Sequence, residues 1–339
     1  MEHHRPVWEQ TRHKAGSFLR PDRLARSGLQ WAASWGSLAR RLRQIGPVDA
    51  IVAGYPAQPD ALPAKLAARH LRVPLIVDAM ISFADTLGDD RGRAGRFASG
   101  LLAGVDWQAV KVADMVMVDT VANGDWFAER FGIPPSRVMI VPVGAEASQF
   151  PPARPAPAPA PVLFYGKLAP LHGIETILEA ARQPNMPQMR LIGDGQLSGW
   201  LAAELARDTP AGLSYTPWVP YETLGHEIAA ASICLGVFGT SQKASRVMPN
   251  KVFQAMAVGR PIVSADTPGL REVVRPGVEG LLVPAGNAPA LADAIRVLAS
   301  DGAMRARMGA AARERFLEVG HPARVAERFV DGLRPVLRR

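Results

Sequence analysis

The stretch Ser245-Arg-Val-Met-Pro-Asn-Lys-Val-Phe-Gln-Ala-Met-Ala-Val-Gly-Arg-Pro-Ile-Val263 decides how this chain folds. Its pattern predicts a loop, a helix and a buried strand in succession. Pro249 suits the first position of a helix, and Gly259 suits the position just past its end. The β-branched run after Pro261 is typical of a strand in a parallel sheet. We therefore expect this helix to lead directly into a strand of an α/β domain.

The predicted helix presents two kinds of side chain. Val252, Phe253 and Met256 point toward a core. Lys251 and Gln254 lie three residues apart and share another face of the helix. A helix N-terminus with an adjacent lysine is a site that favours anions. Taken alone, a solvated helix start is the commoner explanation, so the choice depends on the rest of the chain.

The composition favours a soluble globular protein. The chain has 339 residues, 48% of them hydrophobic, which is enough for two domains of ordinary size. Its one cysteine, Cys234, lies in an apolar run and is expected to be a small buried residue in a reducing compartment. No apolar run reaches the roughly 18 residues of a transmembrane helix, and no secretory signal opens the chain. We therefore expect a cytoplasmic location.

The charge of the chain is strongly basic, with a net charge of +8 and a pI of about 10.1. This sign suits anionic partners, such as a membrane surface or phosphate-bearing substrates. Residues 1–45 combine arginines with Trp8, Trp31 and Trp35, and basic helices with tryptophan can lie on anionic lipid. A solvated arginine-rich surface explains the pattern equally well. No nucleic acid is expected, because no zinc spacing or RNA-binding motif accompanies the charge.

A segment rich in proline and alanine divides the chain. Residues 151–161 contain six prolines, which exclude a helix or central strand and indicate a semi-rigid linker. Residues 1–150 and 162–339 each alternate strands with helices, so each is predicted to form a doubly wound, Rossmann-like α/β domain. Ligands then lie in a cleft between the facing domains. The last helix is a candidate to pack back on the N-terminal domain.

The predicted strands are short apolar runs. In the first half they lie at 49–53, 74–78, 114–119 and 138–142. In the second half they lie at 162–165, 189–192, 213–215, 233–237 and 280–283, and directly after Pro261. Helices are predicted in most of the intervals between them.

Seven pieces of sequence carry a resemblance to one enzyme family. They are Val141-Pro-Val-Gly144, Tyr165-Gly-Lys-Leu-Ala-Pro-Leu-His-Gly173, Leu191-Ile-Gly-Asp-Gly195, Tyr215-Thr-Pro-Trp-Val-Pro-Tyr-Glu-Thr-Leu224, Lys243-Ala-Ser-Arg-Val-Met-Pro-Asn-Lys251, Asp266-Thr-Pro-Gly-Leu-Arg-Glu272 and Gly280-Leu-Leu-Val-Pro284. In this order they make residues 48–331 resemble the family 4 glycosyltransferases of the GT-B fold. The fifth piece is similar to the K-A-x-R-V-x-P-N-K segment of a branch that builds polysaccharides. Each piece alone is a weak signal, whereas their order and spacing are specific.

The resemblance implies a nucleotide-sugar site in the second half. The family's diphosphate-binding Arg and Lys correspond to Lys167 and to His172, which is only partly charged near neutral pH. The family's two glutamates correspond to Arg246 and to Gln254, which could hydrogen-bond the ribose. The implied donor-binding set is Gly166, Lys167, His172, Gly193, Trp218, Lys243, Arg246, Asn250, Lys251 and Gln254.

Within this set, Arg246, Lys251 and Lys167 are the implied catalytic residues. Lys243, Arg246 and Lys251 are expected to form one cationic nest over a helix N-terminus, which would stabilise the leaving nucleotide. Trp218 either stacks on the nucleobase or is a core or interface tryptophan, with equal weight. No cofactor or metal is expected, because the histidines show no metal-ligand spacing.

Two features depart from the family. Its first strand and glycine turn are not visible before Asp49, so roughly one βα unit is predicted to be missing, through a late start or a truncated acceptor domain. The histidine that relatives place after the second predicted strand is absent. Asp78 and Asp85 are instead the candidates to orient the acceptor hydroxyl. A solvated polar loop explains these two equally well, and explains Asp89 and Asp90 better.

The resemblance therefore implies a retaining, metal-independent glycosyltransferase of the hexosyltransferase type. It is expected to move a sugar from a nucleoside diphosphate donor to a lipid-linked glycan in cell-envelope polysaccharide synthesis, as a peripheral protein on the inner face of the membrane. A non-catalytic GT-B scaffold that binds a sugar nucleotide or a partner transferase is the alternative. A sugar-nucleotide epimerase ranks lower, because the matched positions are not acid or base groups.

Overall fold

The computed structural model describes residues 33–36, 38, 46–86, 96–156 and 159–337. Most of the basic region 1–45 lies outside the described residues, as do Asp89 and Asp90. The prediction of a missing first βα unit concerns that same N-terminal region, so it stays a prediction.

The N-terminal domain is built on a parallel sheet of four described strands in the order β1-β2-β3-β4. The strands are β1 (Ile51–Ala53), β2 (Leu75–Asp78), β3 (Met115–Val118) and β4 (Val138–Ile140). Three helices connect them, namely α1 (Ala61–Leu71), α2 (Arg96–Val112) and α3 (Val121–Phe131). All four strands lie where the sequence predicts them, because their apolar runs are short and bounded by polar or turn residues.

The C-terminal domain is built on six parallel strands in the order β10-β9-β8-β5-β6-β7. The strands are β5 (Val162–Tyr165), β6 (Met189–Ile192), β7 (Leu213–Thr216), β8 (Ile233–Leu235), β9 (Ile262–Ala265) and β10 (Gly280–Val283). The chain proceeds from β5 toward one edge and from β8 toward the other, so the strand order reverses between β5 and β8. In a doubly wound sheet such a reversal opens a crevice at the carboxyl ends of the strands, where ligands bind.

Helices cover both faces of this second sheet. They are α4 (Ile174–Ala181), α5 (Ser198–Arg207), α6 (Tyr221–Ala230), α7 (Gln242–Arg246), α8 (Asn250–Val258), α9 (Pro268–Arg271), α10 (Ala288–Ser300) and α11 (Gly302–Val319). Two clusters of buried side chains result, one that includes Phe164 and one that includes Phe253. The two doubly wound domains confirm the predicted α/β architecture.

The last helix, α12 (Pro322–Leu337), packs on the N-terminal sheet. Successive side chains of a strand point to opposite faces, so Leu75 and Val77 contact the domain's own helices while Ile76 faces the other way. The face that carries Ile76 is covered by α12, partly through Phe329. The chain therefore returns to its first domain at its end.

The stretch 245–263 contains the predicted helix and strand, but the helix begins one residue later than predicted. α8 begins at Asn250, and Pro249 precedes it with an extended backbone at φ −77° and ψ 137°. The residues before it form the short helix α7 rather than a loop, because Ser241 caps that helix by accepting a hydrogen bond from the Ala244 N–H. Gly259 ends α8 at φ +83°, as a left-handed helix end requires.

The described part of the linker 151–161 contains no helix or strand. It lies against the C-terminal domain. The backbone N–H of Ala153 donates to the carbonyl of Val258 at 3.0 Å, and the Arg260 guanidinium donates to the carbonyl of Arg154 at 2.7 Å. These bonds fix the start of the linker to the end of α8.

Replacing Phe253 with alanine should destabilise the C-terminal domain by about 3–5 kcal/mol, because the ring is fully buried and its removal leaves a cavity. Unfolding in denaturant, followed by circular dichroism, measures this loss. Leu317→Ala on α11 is the control, since that side chain is 44% exposed. Its cost should stay below about 1 kcal/mol. Equal losses for the two variants would contradict the packing described here.

Candidate active site

Two glycines allow the ends of β5 and β6 to approach each other at the crevice. Gly166 follows β5 with φ +138°, and Gly193 follows β6 with φ +159°. A Cβ atom on Gly193 would lie 1.9 Å from the carbonyl oxygen of Gly166. A Cβ atom on Gly166 would lie 3.1 Å from Nζ of Lys251. The structure thus brings together Gly166, Gly193 and Lys251, which the sequence predicts as donor-binding residues.

Lys251 is buried in the first turn of α8. The residue is 7% exposed, and its Nζ has no hydrogen-bond partner among the described residues. The ammonium lies 3.8 Å from the centre of the Phe164 ring, which is a cation–π contact. Burial lowers the pKa of Lys251 well below its ordinary value. Because a buried ammonium without a counter-ion is costly, this site favours the arrival of an anion.

His172 lies beside Lys251. Burial and the charges of Lys251, Lys167 and Lys243 together lower its pKa to about 3, while a hydrogen bond to the Lys167 backbone opposes this shift. The Nδ1 atom is bonded to the carbonyl oxygen of Lys167, and since a carbonyl only accepts, Nδ1 carries the proton. The lowered pKa differs from the expectation that His172 is partly charged near neutral pH, whereas its donation to phosphate stays a prediction. Its Nε2 atom can donate only after it takes up a proton.

Four residues form what we call the basic cluster: Lys167, His172, Lys243 and Lys251. Lys167 is exposed, whereas Lys243 is 6% exposed and donates from Nζ to the Thr86 hydroxyl at 2.7 Å. Thr86 belongs to the N-terminal domain, so Lys243 spans the two domains. The cluster therefore lies where the crevice of one domain meets the other domain.

Arg246 does not join the basic cluster, which corrects the predicted nest of Lys243, Arg246 and Lys251. Its guanidinium forms an ion pair with Asp85 and donates from Nε to the Asn123 side chain at 3.2 Å. It also lies 4.0 Å from the centre of the Trp126 ring. All three partners belong to the N-terminal domain. The side chain turns away from Lys251 because these partners neutralise a charge that is otherwise buried.

Two further carboxylates join the domains beside Arg246. Asp119 accepts a hydrogen bond from the backbone N–H of Met248 at 2.9 Å, and burial raises its pKa. Glu272 accepts from the N–H groups of Val121 and Ala122, the first residues of α3. A carboxylate at a helix N-terminus satisfies free donors and interacts favourably with the helix dipole. We call Asp85, Asp119, Arg246 and Glu272 the interdomain clasp.

Sequence reasoning missed most of the clasp partners. Asp119 was available as the polar end of a predicted strand, and Glu272 lies in a motif used for the family resemblance. Thr86, Asn123 and Trp126 carry no sequence signal, since only the packing of the two domains brings them to α7.

The remaining predicted donor residues lie around the crevice without a shared contact. Gln254 is half-buried on α8 and is bonded to the side chain of Tyr221, whose pKa is raised by burial and by Glu146. Trp218 is 71% exposed, so its interpretation as a core residue is wrong. Asn250 is exposed at the start of α8.

The two predicted acceptor-side aspartates have different surroundings. Asp78 ends β2 and accepts from the backbone N–H groups of Tyr55 and Met80, while burial raises its pKa. Asp85 uses one carboxylate oxygen for Arg246. Its other oxygen has no partner among the residues that the structure describes. Asp85 is thus the aspartate that is both tied to the donor domain and able to accept a further hydrogen bond.

In the part of the chain that the structure describes, no group of three or more His, Cys, Asp or Glu side chains is placed to hold a metal ion. Within the same residues, no helix is long and apolar enough to cross a membrane.

Residues 160–301 match the sequence model of a family described as Glycosyl transferases group 1. A D-inositol 3-phosphate glycosyltransferase from Nocardioides sp. is 29% identical over 248 residues, which cover 64% of this chain and 53% of that protein. The chain thus spans about half the length of the curated relatives it matches.

Solved structures with the same architecture extend over most of the chain. A sucrose-phosphate synthase from Thermosynechococcus elongatus has a TM-score of 0.72 at 19% identity and covers 96% of this chain and 82% of its own. HepE from Anabaena, in complex with UDP-glucose, has a TM-score of 0.68 at 17% identity. The match covers 87% of this chain and 81% of the HepE chain. The predicted GT-B fold is confirmed. The family model and the named relative are those of glycosyltransferases, to which this chain is similar.

Replacing Arg246 with methionine should cost about 3 kcal/mol of stability, because it leaves the Asp85 carboxylate unpaired in a largely buried site. Thermal unfolding measures the loss. Asp85→Asn in the same chain should recover part of it, since the unpaired charge is then removed. The matched control is Arg324→Met, whose pair with Glu327 is exposed and worth about 0–1 kcal/mol. A loss at Arg246 no larger than the control's would show that the clasp does not hold the domains.

Proposed function

We propose that this protein transfers a sugar from a nucleoside diphosphate donor to a glycan acceptor, with the donor held at the crevice of the C-terminal domain. The observation that carries the proposal is the buried ammonium of Lys251. It lies at the carboxyl end of β5, in the first turn of a helix, without a counter-ion among the described residues. A diphosphate is the kind of anion that a helix N-terminus and adjacent lysines bind.

The rest of the basic cluster strengthens this assignment. Lys167 is exposed at the crevice and can reach a ligand from solvent. His172 becomes a donor from Nε2 once a nearby anion raises its pKa. Gly166 and Gly193 allow the two strand ends and the Lys251 side chain to pack closely, which brings the ammonium to the crevice. Gln254 and the exposed Trp218 are the candidates to contact the ribose and the base.

The chemistry we propose is stabilisation of the leaving nucleotide. As the bond between the sugar and the diphosphate breaks, negative charge develops on the diphosphate oxygen, and Lys251 and Lys167 lie where they can neutralise it. We propose that these lysines supply the positive charge without a divalent metal, and that the new bond forms on the face the nucleotide leaves. Arg246 is assigned a positioning role, because its guanidinium is engaged by Asp85 and Asn123.

The acceptor is proposed to approach from the N-terminal domain, where one carboxylate oxygen of Asp85 has no partner among the described residues. A lipid-linked glycan in cell-envelope polysaccharide synthesis fits the polysaccharide-building resemblance and the net charge of +8. A peripheral position on the inner membrane face follows from the same charge. Co-sedimentation with anionic liposomes at low salt tests that position, and a protein that stays in the supernatant would remove it.

A non-catalytic GT-B scaffold is the second candidate. The observation that favours it is Arg246, which stands where the family carries a glutamate and is fully engaged in the interdomain clasp. Incubation of the chain with UDP-, GDP-, ADP- and dTDP-sugars separates the two functions. Selective thermal stabilisation by one donor, with slow release of its sugar to water, supports the transferase. Stabilisation without any turnover supports the scaffold.

Replacing Lys251 with methionine should separate folding from donor binding. Methionine fills the same space without a buried charge, so the variant should be at least as stable as the parent. Its affinity for the selected nucleoside diphosphate should fall by at least about tenfold, since a charge-assisted contact is lost. Isothermal titration calorimetry measures the affinity, and Lys111→Met on α2 is the control. Unchanged nucleotide affinity in the Lys251 variant would defeat the proposed donor site.

Nucleotide binding should be accompanied by proton uptake. In the free protein the pKa of His172 is lowered to about 3, and burial lowers the pKa of Lys251 from its ordinary value. A bound diphosphate raises both pKa values, so the complex holds more protons, and the affinity falls as the pH rises above the pKa of about 3 of free His172 toward the raised pKa values of the complex. Calorimetry in buffers with different ionisation enthalpies counts the protons. Equal binding enthalpies in all buffers would contradict this linkage.

A further inference from the structure

A second cavity lies in the N-terminal domain, outside the donor crevice. Its volume is about 280 Å³, and it is bounded by α2, α3 and the segment that follows β2. Its chemically distinctive lining residues are Asp85, Trp107, Trp126 and Arg130. Among the described residues, the basic cluster approaches this cavity only at Thr86, which accepts from Lys243 and follows Asp85 in the chain.

Two tryptophans give this cavity aromatic walls. Trp107 on α2 is 54% exposed, which is unusual for so large an apolar side chain. Trp126 on α3 is held in place by edge-to-face contacts with Phe127 and Phe131 and by the Arg246 guanidinium. Flat aromatic surfaces of this kind suit the C–H faces of a sugar ring, which are apolar, while their N–H groups can serve hydroxyls.

Three charged residues line the same cavity: Asp85, Asp106 and Arg130. The Asp106 carboxylate is engaged by hydrogen bonds to residues 82–84, which leaves Asp85 and Arg130 to select a ligand. Asp85 offers its second carboxylate oxygen to ligand hydroxyls. Arg130 lies in the last turn of α3, is exposed, and has no hydrogen bond or ion pair with other described residues. A guanidinium without a partner at the rim of an aromatic cavity favours a planar or tetrahedral anion. Together these residues favour a ring with hydroxyls on one side and an acidic group on another.

The described residues just before Asp85 are held by hydrogen bonds to α2. Asp106 on α2 accepts hydrogen bonds from the Ser82 hydroxyl and from the N–H groups of Phe83 and Ala84. Burial raises the pKa of Asp106, although these hydrogen bonds act to lower it. The segment is therefore fixed by α2 on one side and by Arg246 of the donor domain on the other.

The cavity is connected to the donor crevice by adjacent residues. Asp85 and Trp126 contact Arg246 of α7, and Thr86 contacts Lys243 on the same helix. Lys243 in turn lies close enough to His172 to affect its pKa. One short helix of the donor domain thus forms part of the support of the cavity and part of the basic cluster.

We propose that this cavity binds an acidic sugar unit of the acceptor, with the ring against Trp107 and Trp126, a hydroxyl on Asp85 and the acid group on Arg130. The role of this sugar as an acceptor rests on the proposed function. The binding of an acidic sugar in the cavity does not depend on it. The acid is a carboxylate or a phosphate on the sugar, and the probes below distinguish these two sources.

The test is saturation-transfer NMR on the full chain with methyl β-D-glucuronide, glucose 1-phosphate, methyl β-D-glucoside and inorganic phosphate as separate probes. The ring protons of at least one acidic sugar should receive saturation, and that sugar should bind about tenfold more tightly than the neutral glucoside. Stronger binding of the glucuronide identifies the acid group of the ligand as a carboxylate. Stronger binding of glucose 1-phosphate identifies it as a phosphate. Inorganic phosphate that binds as tightly as the better acidic sugar would overturn the proposal, since the sugar ring then contributes nothing.

Variants assign the contacts. Trp107→Ala should weaken binding of the acidic sugar by about tenfold. Arg130→Gln should reduce it to the level of the neutral glucoside. Trp200→Ala, which removes a partly exposed tryptophan on α5 of the other domain, is the matched control and should bind as the parent does. Unchanged affinity in both cavity variants, with folding verified by thermal unfolding, would overturn the proposal.

The same samples separate this proposal from the proposed function. Nucleotide binding that depends on Lys251, without any binding of the acidic sugars, refutes the cavity assignment and leaves the donor site intact. Binding of an acidic sugar without binding of any nucleoside diphosphate supports the cavity and refutes the transferase.

Discussion

A lysine ammonium buried without a described counter-ion at the carboxyl end of β5 is the constraint on which the donor crevice depends. Gly166 leaves the space that the Lys251 side chain occupies, and the Phe164 ring gives it a cation–π contact. The Tyr165 hydroxyl donates to the Lys251 carbonyl at 2.8 Å and so fixes the first turn of α8. Because an unpaired buried charge is unfavourable, the free protein holds an arrangement that an anion would stabilise.

The relative position of the two domains depends on a second set of charges. Arg246 neutralises Asp85, Glu272 caps the start of α3, and Asp119 accepts from the backbone beside α8. Each group is largely buried or binds free backbone donors, so its partner matters more than that of an exposed ion pair. The cleft between the domains is therefore bounded by specific bonds, and α7 takes part in both the basic cluster and the clasp.

The sequence predicted the architecture well and the site in part. The strands β1 to β10 are short apolar runs between turn residues, and this pattern is local enough to read directly. Gly166, Gly193, Lys167, His172 and Lys251 also meet at one crevice, because the ends of parallel strands share one edge of a sheet. The short helix α7 was not predicted, because its start depends on the Ser241 cap. The start of α8 was predicted one residue too early, at Pro249.

The sequence by itself determined the alternation of strands and helices, the division at the proline-rich linker and the residues that follow each strand. Tertiary structure alone decided where the charges of those residues go. Arg246 and Lys251 are five positions apart and share a sign, yet one is paired with Asp85 and the other has no described partner. The physical reason is that the pairing of Arg246 depends on Asn123 and Asp85, which are 123 and 161 residues away along the chain and come within reach only when the two domains pack. Lys251 instead packs against residues of its own domain, such as Phe164.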